Sequence, residues 1–304
     1  MSLEIVCEWL DPNTLKNEMQ QRSLQLCKLR CGAYTHEHIA AVYTHNVKRL
    51  EEILYKAAAT GFRAFRISSS LFPLADVSPV DPLSLAVVQN TLKRIGVWAN
   101  DLHFRLTTHP GQFVVLSSDN PDVVFRSVKE LELHGKIFDA MNLPRSPWAA
   151  INVHGGKRDR LDRLIRTVEL LSDSVRSRLT LENDEYAYTV LDLALVAQST
   201  SVPVCLDSHH HSLNSGRLHL NDAHELAIAT WPAGIRPLQH MSNSEPGCNQ
   251  NICALRKHSW SVHYVPSVQR DAHERGEIDI SMEFKGKNIA VLAAAAQFSL
   301  TLAT

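Results

Sequence analysis

Short apolar runs rich in β-branched and aromatic residues alternate along the chain with longer stretches in which apolar residues recur every three or four positions. Each short run is typical of a strand, and each longer stretch is typical of a helix. Eight strands are predicted, at 3–7, 62–67, 103–108, 149–153, 178–182, 203–206, 235–240 and 278–284. No low-complexity linker or charge block interrupts this alternation. The pattern therefore predicts an α/β fold, a single-domain (β/α)8 TIM barrel spanning residues 1–304.

Caps and apolar stripes predict where several helices lie. The first helix is predicted to start with Thr44 as N-cap and to end at Gly61, with an apolar stripe beginning at Val47. Further helices are predicted at 119–141, 159–174 and 287–300. The remaining stretches of interest, predicted to be long loops, are 208–222 and 242–256. Long loops in a compact domain usually carry function, so both are candidates for the site.

The overall charge and the cysteine pattern narrow the class of protein. The chain has 31 basic and 32 acidic side chains, so bulk attraction to nucleic acid is excluded and only a local basic patch can bind it. Six cysteines without a CxxC pair indicate reduced thiols. The longest apolar run has eight residues, too few to cross a membrane. We expect a soluble, monomeric, cytoplasmic protein.

Six consecutive predicted strands end in, or are followed directly by, a residue that can bind a metal ion. These residues are His109, His154, Glu182, Asp207, His240 and Glu283. In a (β/α)8 barrel the carboxyl ends of the strands converge on one mouth, so the six side chains should form a cluster. Any one of these residues alone is more typical of a structural residue held by hydrogen bonds than of a metal ligand. Six together predict a metal centre, and imidazole with carboxylate but no thiolate suits Mn²⁺, Zn²⁺, Fe²⁺ or Co²⁺.

Three carboxylates in this set indicate that some bridge two ions. Two neighbouring ions can activate water and stabilise an in-line displacement at phosphorus, so phosphodiester hydrolysis without a protein nucleophile is predicted. A metal-dependent sugar isomerase or epimerase on the same barrel is the alternative, because it uses the same ligand types.

Histidine is abundant, with 16 residues, and most of them are not expected to bind metal. Directly after Asp207 stands Ser208-His209-His210-His211, and three adjacent histidines cannot all face one site from an extended segment. At most two of them are therefore predicted ligands. The histidines predicted to be structural are His36, His38, His45, His103, His134, His219, His224, His263 and His273.

Basic residues concentrate just after His154. Lys157, Arg158 and Arg160 follow a Gly-Gly pair, and Arg163 and Arg166 continue at helical spacing. This segment is the candidate for binding a phosphate backbone. The alternative is a solvated helix face on which these residues pair with Asp159, Asp162 and Glu169. From the opposite side, the mouth would be flanked by Lys285 and Lys287.

Several short motifs resemble those of the UV damage endonuclease family, which is related to endonuclease IV within the xylose-isomerase-like barrels. The resemblance covers residues 22–298 and rests on the order of its motifs across six strands. The motifs are Phe65-Arg-Ile-Ser-Ser, His109-Pro-Gly-Gln-Phe113, Asn152-Val-His154-Gly-Gly, Leu181-Glu182-Asn-Asp, Asp207 to His211, His240-Met-Ser and Met282-Glu283-Phe-Lys.

The resemblance implies a distribution of ligands and a reaction. The first ion would be held by His109, His154 and Glu182, and Glu182 would bridge it to a second ion. A third ion is also implied. The second ion would also use Asp207, His240 and Glu283, and the third His210 and His258. Manganese is the implied metal, with zinc, cobalt or magnesium as other possibilities. The implied reaction is a cut in damaged double-stranded DNA immediately 5′ of cyclobutane pyrimidine dimers and 6-4 photoproducts.

Gln112 and Phe113 are implied to probe the strand opposite the lesion, so both are expected to face DNA rather than the core. Two positions depart from the family pattern. Leu238 stands where a modified lysine helps to bind metal, so the third site should be looser. Glu4-Ile5 stands where the family has Gly-Tyr. A catalytically weak relative that only binds damaged DNA is therefore a third hypothesis.

Overall fold

The computed structural model describes residues 1–247 and 255–303 and contains a parallel barrel. Within these ranges each of the eight predicted runs forms a strand. The strands are β1 (Leu3–Val6), β2 (Ala64–Ser68), β3 (Arg105–His109), β4 (Ile151–Val153), β5 (Leu179–Glu182), β6 (Val204–Cys205), β7 (Leu238–Met241) and β8 (Asp279–Met282). They pair in the order β6-β5-β4-β3-β2-β1-β8-β7, and every pairing is parallel. The predicted TIM-like barrel is confirmed.

The barrel closes between β6 and β7 through a short seam. A single parallel bridge joins Asp207 to His240, and the amide of His240 donates to the carbonyl of Leu206 at 2.8 Å. By contrast, β7 and β8 pair at four consecutive positions. The seam therefore places two predicted metal ligands directly opposite each other.

Helices surround the strands, and among the described residues none is long and apolar enough to cross a membrane. They are α1 (Leu26–Arg30), α2 (His36–Ala59), α3 (Ala86–Asp101), α4 (Pro121–Ala140), α5 (Leu161–Glu169), α6 (Asp173–Arg176), α7 (Val190–Thr200), α8 (Ser208–Leu213), α9 (Leu220–Ala229), α10 (Ser267–Glu274) and α11 (Lys287–Phe298). Short 3₁₀ turns lie at Pro82–Ser84 and Pro147–Ala149.

Three predicted boundaries are wrong. Helix α2 begins at His36 rather than after Thr44, because Thr35 caps it by accepting from the amide of His38 and its buried stripe already includes Ile39. The helix predicted at 159–174 is divided into α5 and α6, and Asp159 does not open it because its φ is +57°. The predicted loop 208–222 contains α8 and the start of α9. Of the predicted loop 242–256, residues 248–254 lie outside the described ranges.

Every second side chain of a strand points into the barrel, and these inward side chains form layers along the barrel axis. On β3, Arg105, Thr107 and His109 occupy alternate positions and share one face. Arg105 forms a fully buried ion pair with Asp279 at 2.8 Å, and Thr107 donates to Glu4 at 2.5 Å. These contacts fill the bottom and middle of the barrel. His109 therefore stands in the uppermost layer, at the mouth.

His134, predicted to be structural, lies buried on α4, and burial lowers its pKa to about 4. The pKa of an unfolded histidine is about 6.5, whereas folded His134 stays neutral down to about pH 4. The contribution of His134 to the free energy of unfolding is therefore complete above pH 6.5 and is lost as the pH falls toward 4. We expect this residue to remove about 3 kcal/mol of the free energy of unfolding between pH 7 and pH 4.

Denaturant unfolding of wild type and His134→Leu across this pH range checks the prediction. The variant should show a correspondingly smaller pH dependence, and His36→Gln, at an exposed position of α2, should behave like wild type. Identical pH dependence in wild type and His134→Leu would contradict it.

Candidate metal centre

Glu182 is the hub of a buried cluster at the mouth of the barrel. It is the last residue of β5 and is fully buried. Its Oε2 lies 3.2 Å from Nε2 of His109 and 2.8 Å from Nδ1 of His240, and its Oε1 lies 3.2 Å from Nδ1 of His210. The side-chain amide of Asn152, on β4, donates to Oε2. One carboxylate is thus surrounded by three imidazoles.

The strand-end residues form two groups that share Glu182. In each group the ligand atoms lie within 4.8 Å of one another. The first group is His109, His154 and Glu182, and the second is Glu182, Asp207, His240 and Glu283. Separate predicted strand ends, up to 174 positions apart in sequence, are therefore brought together. These groups could each hold a metal ion.

Several buried polar atoms of the cluster make no hydrogen bond to any of the described residues. They are Oε1 of Glu182, Oδ2 of Asp207 and Nδ1 of His154. Leaving a buried polar atom unsatisfied costs about 1–3 kcal/mol, and more for a charged group. Carboxylate oxygen and imidazole nitrogen are both metal ligands, so the residues present fit divalent ions.

The charges of the cluster suit cation binding. Burial alone would raise the pKa of Glu182, but the imidazoles of His240 and His154 and the close contacts of His109 and His210 hold it well below its usual range. Burial likewise opposes ionisation of Glu283, and the Arg66 guanidinium holds its pKa well below the usual range. Burial lowers the pKa of His154 to about 4. The two carboxyls are therefore ionised and His154 is neutral, the forms that bind metal.

Helix α8 turns the three adjacent histidines in different directions. Asp207 caps this helix, its Oδ1 accepting from the amide of His210 at 2.7 Å, and this turns His210 toward Glu182. Asp207 and Glu182 outweigh burial and raise the pKa of His210 to about 11. His211 points away and its Nε2 contacts the carbonyl of Leu218 at 3.0 Å. The helical turn replaces the extended segment that the sequence predicts.

The predicted third ligand pair is looser than the first two groups. The rings of His210 and His258 are 6.4 Å apart, and Nδ1 of His258 lies 3.7 Å from Oε2 of Glu283. His209, which was not singled out from the sequence, lies nearer, with its ring 5.7 Å from that of His258 and its Nε2 buried without a hydrogen bond.

Arg66 is a site residue that sequence reasoning missed. It is buried on β2, where Nη1 donates to Oε1 of Glu283 at 2.5 Å and Nη2 donates to Oγ of Ser281 at 2.7 Å. Nη2 also lies 2.9 Å from Nε2 of His240, and Nε lies 3.6 Å from Oε2 of Glu4. A charged residue inside an apolar strand must be paired, and this was the available signal.

A thiol also reaches the centre, contrary to the prediction of a ligand set without sulfur. Cys205 forms a third group with Glu182 and His240, again with ligand atoms within 4.8 Å of one another. Leu238 packs against Cys205, Ala150 and Trp231 and offers no ligand atom. The described cysteines Cys7, Cys27, Cys31 and Cys205 are free thiols, and Cys248 and Cys253 lie outside the described residues.

Gln112 and Phe113 lie on the exposed loop after β3. The Phe113 side chain is 78% exposed, whereas Val114 and Leu116 are buried beneath it. Both loop residues line a groove of about 740 Å³ that also includes Phe72 of the loop after β2. Phe113 therefore does not pack under its own loop.

The predicted basic segment surrounds one aspartate. Asp119 lies 3.6 Å from Lys157, 2.9 Å from Arg160 and 3.4 Å from Arg163. The carboxylate that pairs with these cations is thus Asp119, and not one of the predicted partners near them in sequence. Arg160 lies just before α5 and is not part of that helix. One carboxylate against three cations leaves an exposed surface with net positive charge. Arg158 is exposed beside this cluster, and Lys285 is exposed after Glu283.

An eight-stranded parallel barrel with imidazoles and carboxylates gathered at its mouth defines a TIM-like barrel with a candidate metal centre. The UV-endonuclease UvdE family matches residues 3–301. The chain belongs to this family, and its enzyme class is that of a UV damage endonuclease, a hydrolase of phosphodiester bonds.

Individual relatives agree with this membership. A UV DNA damage endonuclease from Nostoc sp. is 38% identical over 256 residues, covering 82% of this chain and 76% of the relative. Another, from Deinococcus radiodurans, is 32% identical over 304 residues, covering 96% and 93%. The crystal structure of SacUVDE superposes with a TM-score of 0.82 at 26% identity, covering 98% of each chain.

More distant structures share the fold alone. Endonuclease IV from Thermus thermophilus superposes with a TM-score of 0.59 at 12% identity, covering 98% of each chain. D-psicose 3-epimerase from Clostridium cellulolyticum superposes with a TM-score of 0.55 at 13% identity, covering 93% of this chain and 84% of that one. The likeness to an epimerase therefore gives the sugar isomerase hypothesis no support beyond the shared barrel.

Proposed function

We propose that this protein nicks double-stranded DNA immediately 5′ of ultraviolet photoproducts, both cyclobutane pyrimidine dimers and 6-4 photoproducts, as a monomer using two to three divalent ions, with manganese preferred. The observation that carries the proposal is Glu182, a buried carboxylate shared by two ligand groups at the mouth of the barrel. The exposed Phe113 and the basic cluster around Asp119 belong to the loops that follow β3 and β4, at the same end of the barrel as this centre.

Three sets of residues would hold the ions. The first is His109, His154 and Glu182; the second is Glu182, Asp207, His240 and Glu283; and the third is His210 and His258. Unsatisfied buried atoms of Glu182, Asp207 and His154 support the first two. When bound, such ions lower the pKa of water and neutralise the charge that develops on the phosphate.

Residues around the ligands hold them in position. Asn152 donates to Glu182, and Arg66 donates to Glu283, so the two carboxylates that face each other across the mouth keep their orientation. Partners of this kind in the second layer around a metal typically account for about 10- to 100-fold in metal affinity or activity. The scissile phosphate would meet carboxylates and imidazoles that are already oriented.

Contacts with the DNA backbone would come from both sides of the mouth. Lys157, Arg158 and Arg160 provide positive charge on one side and Lys285 on the other, all at exposed positions. Because phosphate contacts carry no sequence information, they would fix the position of the duplex. Recognition of damage would then depend on the lower cost of kinking and unstacking a lesion-containing duplex.

Ultraviolet-irradiated plasmid tests the proposal directly. Purified protein with Mn²⁺ should convert irradiated supercoiled plasmid to the nicked form and leave the unirradiated plasmid intact. Mapping on an oligonucleotide with one defined photoproduct should place the cut directly 5′ of it. Binding without nicking would indicate the catalytically weak relative instead, and neither binding nor nicking would overturn the proposal.

The lesion-probing role of Gln112 and Phe113 gives a separate prediction. An aromatic ring that fills the gap left by a displaced base stacks for about 1–3 kcal/mol per base. The double variant Gln112→Ala/Phe113→Ala should therefore bind damaged duplex about 10- to 100-fold more weakly, with a much smaller change for undamaged duplex. Fluorescence anisotropy on matched damaged and undamaged oligonucleotides measures both affinities.

A matched control comes from the exposed aromatic Phe125 on α4, because Phe125→Ala removes a ring of the same kind outside the loop. It should leave both affinities unchanged. Equal losses on the two duplexes in the double variant would mean that the pair serves general affinity or folding.

A further inference from the structure

The thiol of Cys205 occupies a position from which it can reach the metal centre. Cys205 ends β6 and stands two residues before Asp207, so both side chains belong to the inner face of the barrel. It is fully buried, and its Sγ lies within 4.8 Å of the ligand atoms of Glu182 and His240. The thiol is therefore part of a three-residue group rather than a lone cysteine.

The other neighbours of this thiol are apolar. Ala150, Trp231 and Leu238 form a small buried cluster with it. Trp231 turns its polar edge away, because its Nε1 donates to the carbonyl of Val204 at 2.8 Å. The apolar packing thus closes one side of the thiol, while its polar neighbours lie on the side of the metal centre.

A second observation points to a ligand at the same place. Glu182, fully buried in the same group, leaves its Oε1 without a hydrogen bond. A buried carboxylate, an imidazole and a thiol whose ligand atoms lie within 4.8 Å of one another match the mixed ligand sets of zinc and cobalt sites. Nδ1 of His210 lies 3.2 Å from this oxygen, as an ion-pair partner without a hydrogen bond.

We propose that Cys205 binds one ion of the centre as a thiolate, together with Glu182 and His240. The inference rests on the metal centre of the proposed function and adds a ligand to it. On binding, the sulfur–metal bond replaces the S–H bond and the proton is released to solvent, without oxidation or reduction. Sulfur is a soft ligand, so this position selects zinc or cobalt over manganese and magnesium. The group of His109, His154 and Glu182 contains no sulfur and suits manganese.

Titration with Co²⁺ tests whether the thiolate binds the ion. A cobalt–thiolate bond absorbs intensely in the near ultraviolet. Cobalt bound by nitrogen and oxygen alone shows only weak visible bands. The metal-stripped wild-type protein titrated with Co²⁺ should develop both signals. Cys205→Ser and Cys205→Val should keep the visible bands and lose the near-ultraviolet absorption. Their affinity for Zn²⁺, measured by competition with a chelator, should fall about tenfold or more, with a smaller change for Mn²⁺.

Controls separate this thiol from the others in the chain. Cys27→Ser and Cys31→Ser change exposed thiols and should retain the near-ultraviolet signal, as should the double variant Cys248→Ser/Cys253→Ser. Circular dichroism and the melting temperature of each variant verify folding, and two different replacements of Cys205 guard against a packing effect of either one.

Each outcome decides the inference. Visible bands without near-ultraviolet absorption in wild type, or absorption that persists in Cys205→Val, would overturn the thiolate ligand while leaving the metal centre in place. Failure of Co²⁺ to bind wild type by either signal would overturn the thiolate together with the metal centre. Nicking of irradiated plasmid is scored independently, so the two failures are distinguishable.

Discussion

Glu182→Gln should reduce nicking of irradiated plasmid by more than about 100-fold, because changes in residues that only orient metal ligands already cost about 10- to 100-fold. The substitution keeps the shape of the side chain and removes the charge that both ligand groups share. The content of bound divalent ions, measured by elemental analysis, should fall from two or more per chain to one or fewer. Far-ultraviolet circular dichroism should stay unchanged, since the core contacts remain.

Glu169→Gln is the matched control, because it makes the same chemical change at an exposed position of α5. It should nick at the wild-type rate. A Glu182→Gln protein that keeps more than about a tenth of the wild-type rate would contradict the bridging role of this carboxylate.

Arg66→Met should lower the free energy of unfolding of the metal-stripped protein by about 3–5 kcal/mol. The guanidinium pairs with Glu283 and lies 3.6 Å from Glu4, which is fully buried and whose Oε2 has no hydrogen bond. Methionine fills much of the arginine volume but leaves the Glu4 carboxylate without a positive partner. Denaturant unfolding at constant pH measures the loss.

Two further variants show whether the missing charge is the cause. Arg63→Met removes a half-buried arginine just before β2 that, within the described part of the chain, donates only to backbone carbonyls, and it should cost much less. Glu4→Gln combined with Arg66→Met should recover part of the stability lost in Arg66→Met. A double variant that is no more stable than the single one would assign the loss to packing.

Strand positions could be predicted from sequence because buried parallel strands are short apolar runs, whatever surrounds them. Helix starts were harder to predict, because several residues can cap a helix and only the local backbone selects one. Thr44 has a suitable side chain, but it lies within α2, and the chain turns into the helix at Thr35. The same holds for 208–213, where Asp207 caps a helix too short to show a stripe.

The clustering of the six strand-end residues could be predicted because barrel geometry converts a position in a strand into a place at the mouth. The residues that support them could not, because their partners are set by neighbouring strands. Arg66 meets Glu283 from 217 positions away, and nothing in the local sequence of either indicates the other. Asp119 and Arg160 are 41 positions apart and meet through two loops. The local sequence therefore does not indicate that Asp119 pairs with the basic segment.

The short seam between β6 and β7 makes the candidate metal centre part of the closure of the barrel. The two residues of its single bridge, Asp207 and His240, both belong to one candidate ligand group. An ion held by both would tie β6 to β7 at a place where the two strands pair through a single bridge. Because an ion that binds only the closed ring adds about 2.7 kcal/mol at 100 times its dissociation constant, occupation of the proposed centre would set the stability of the folded enzyme as well as its turnover.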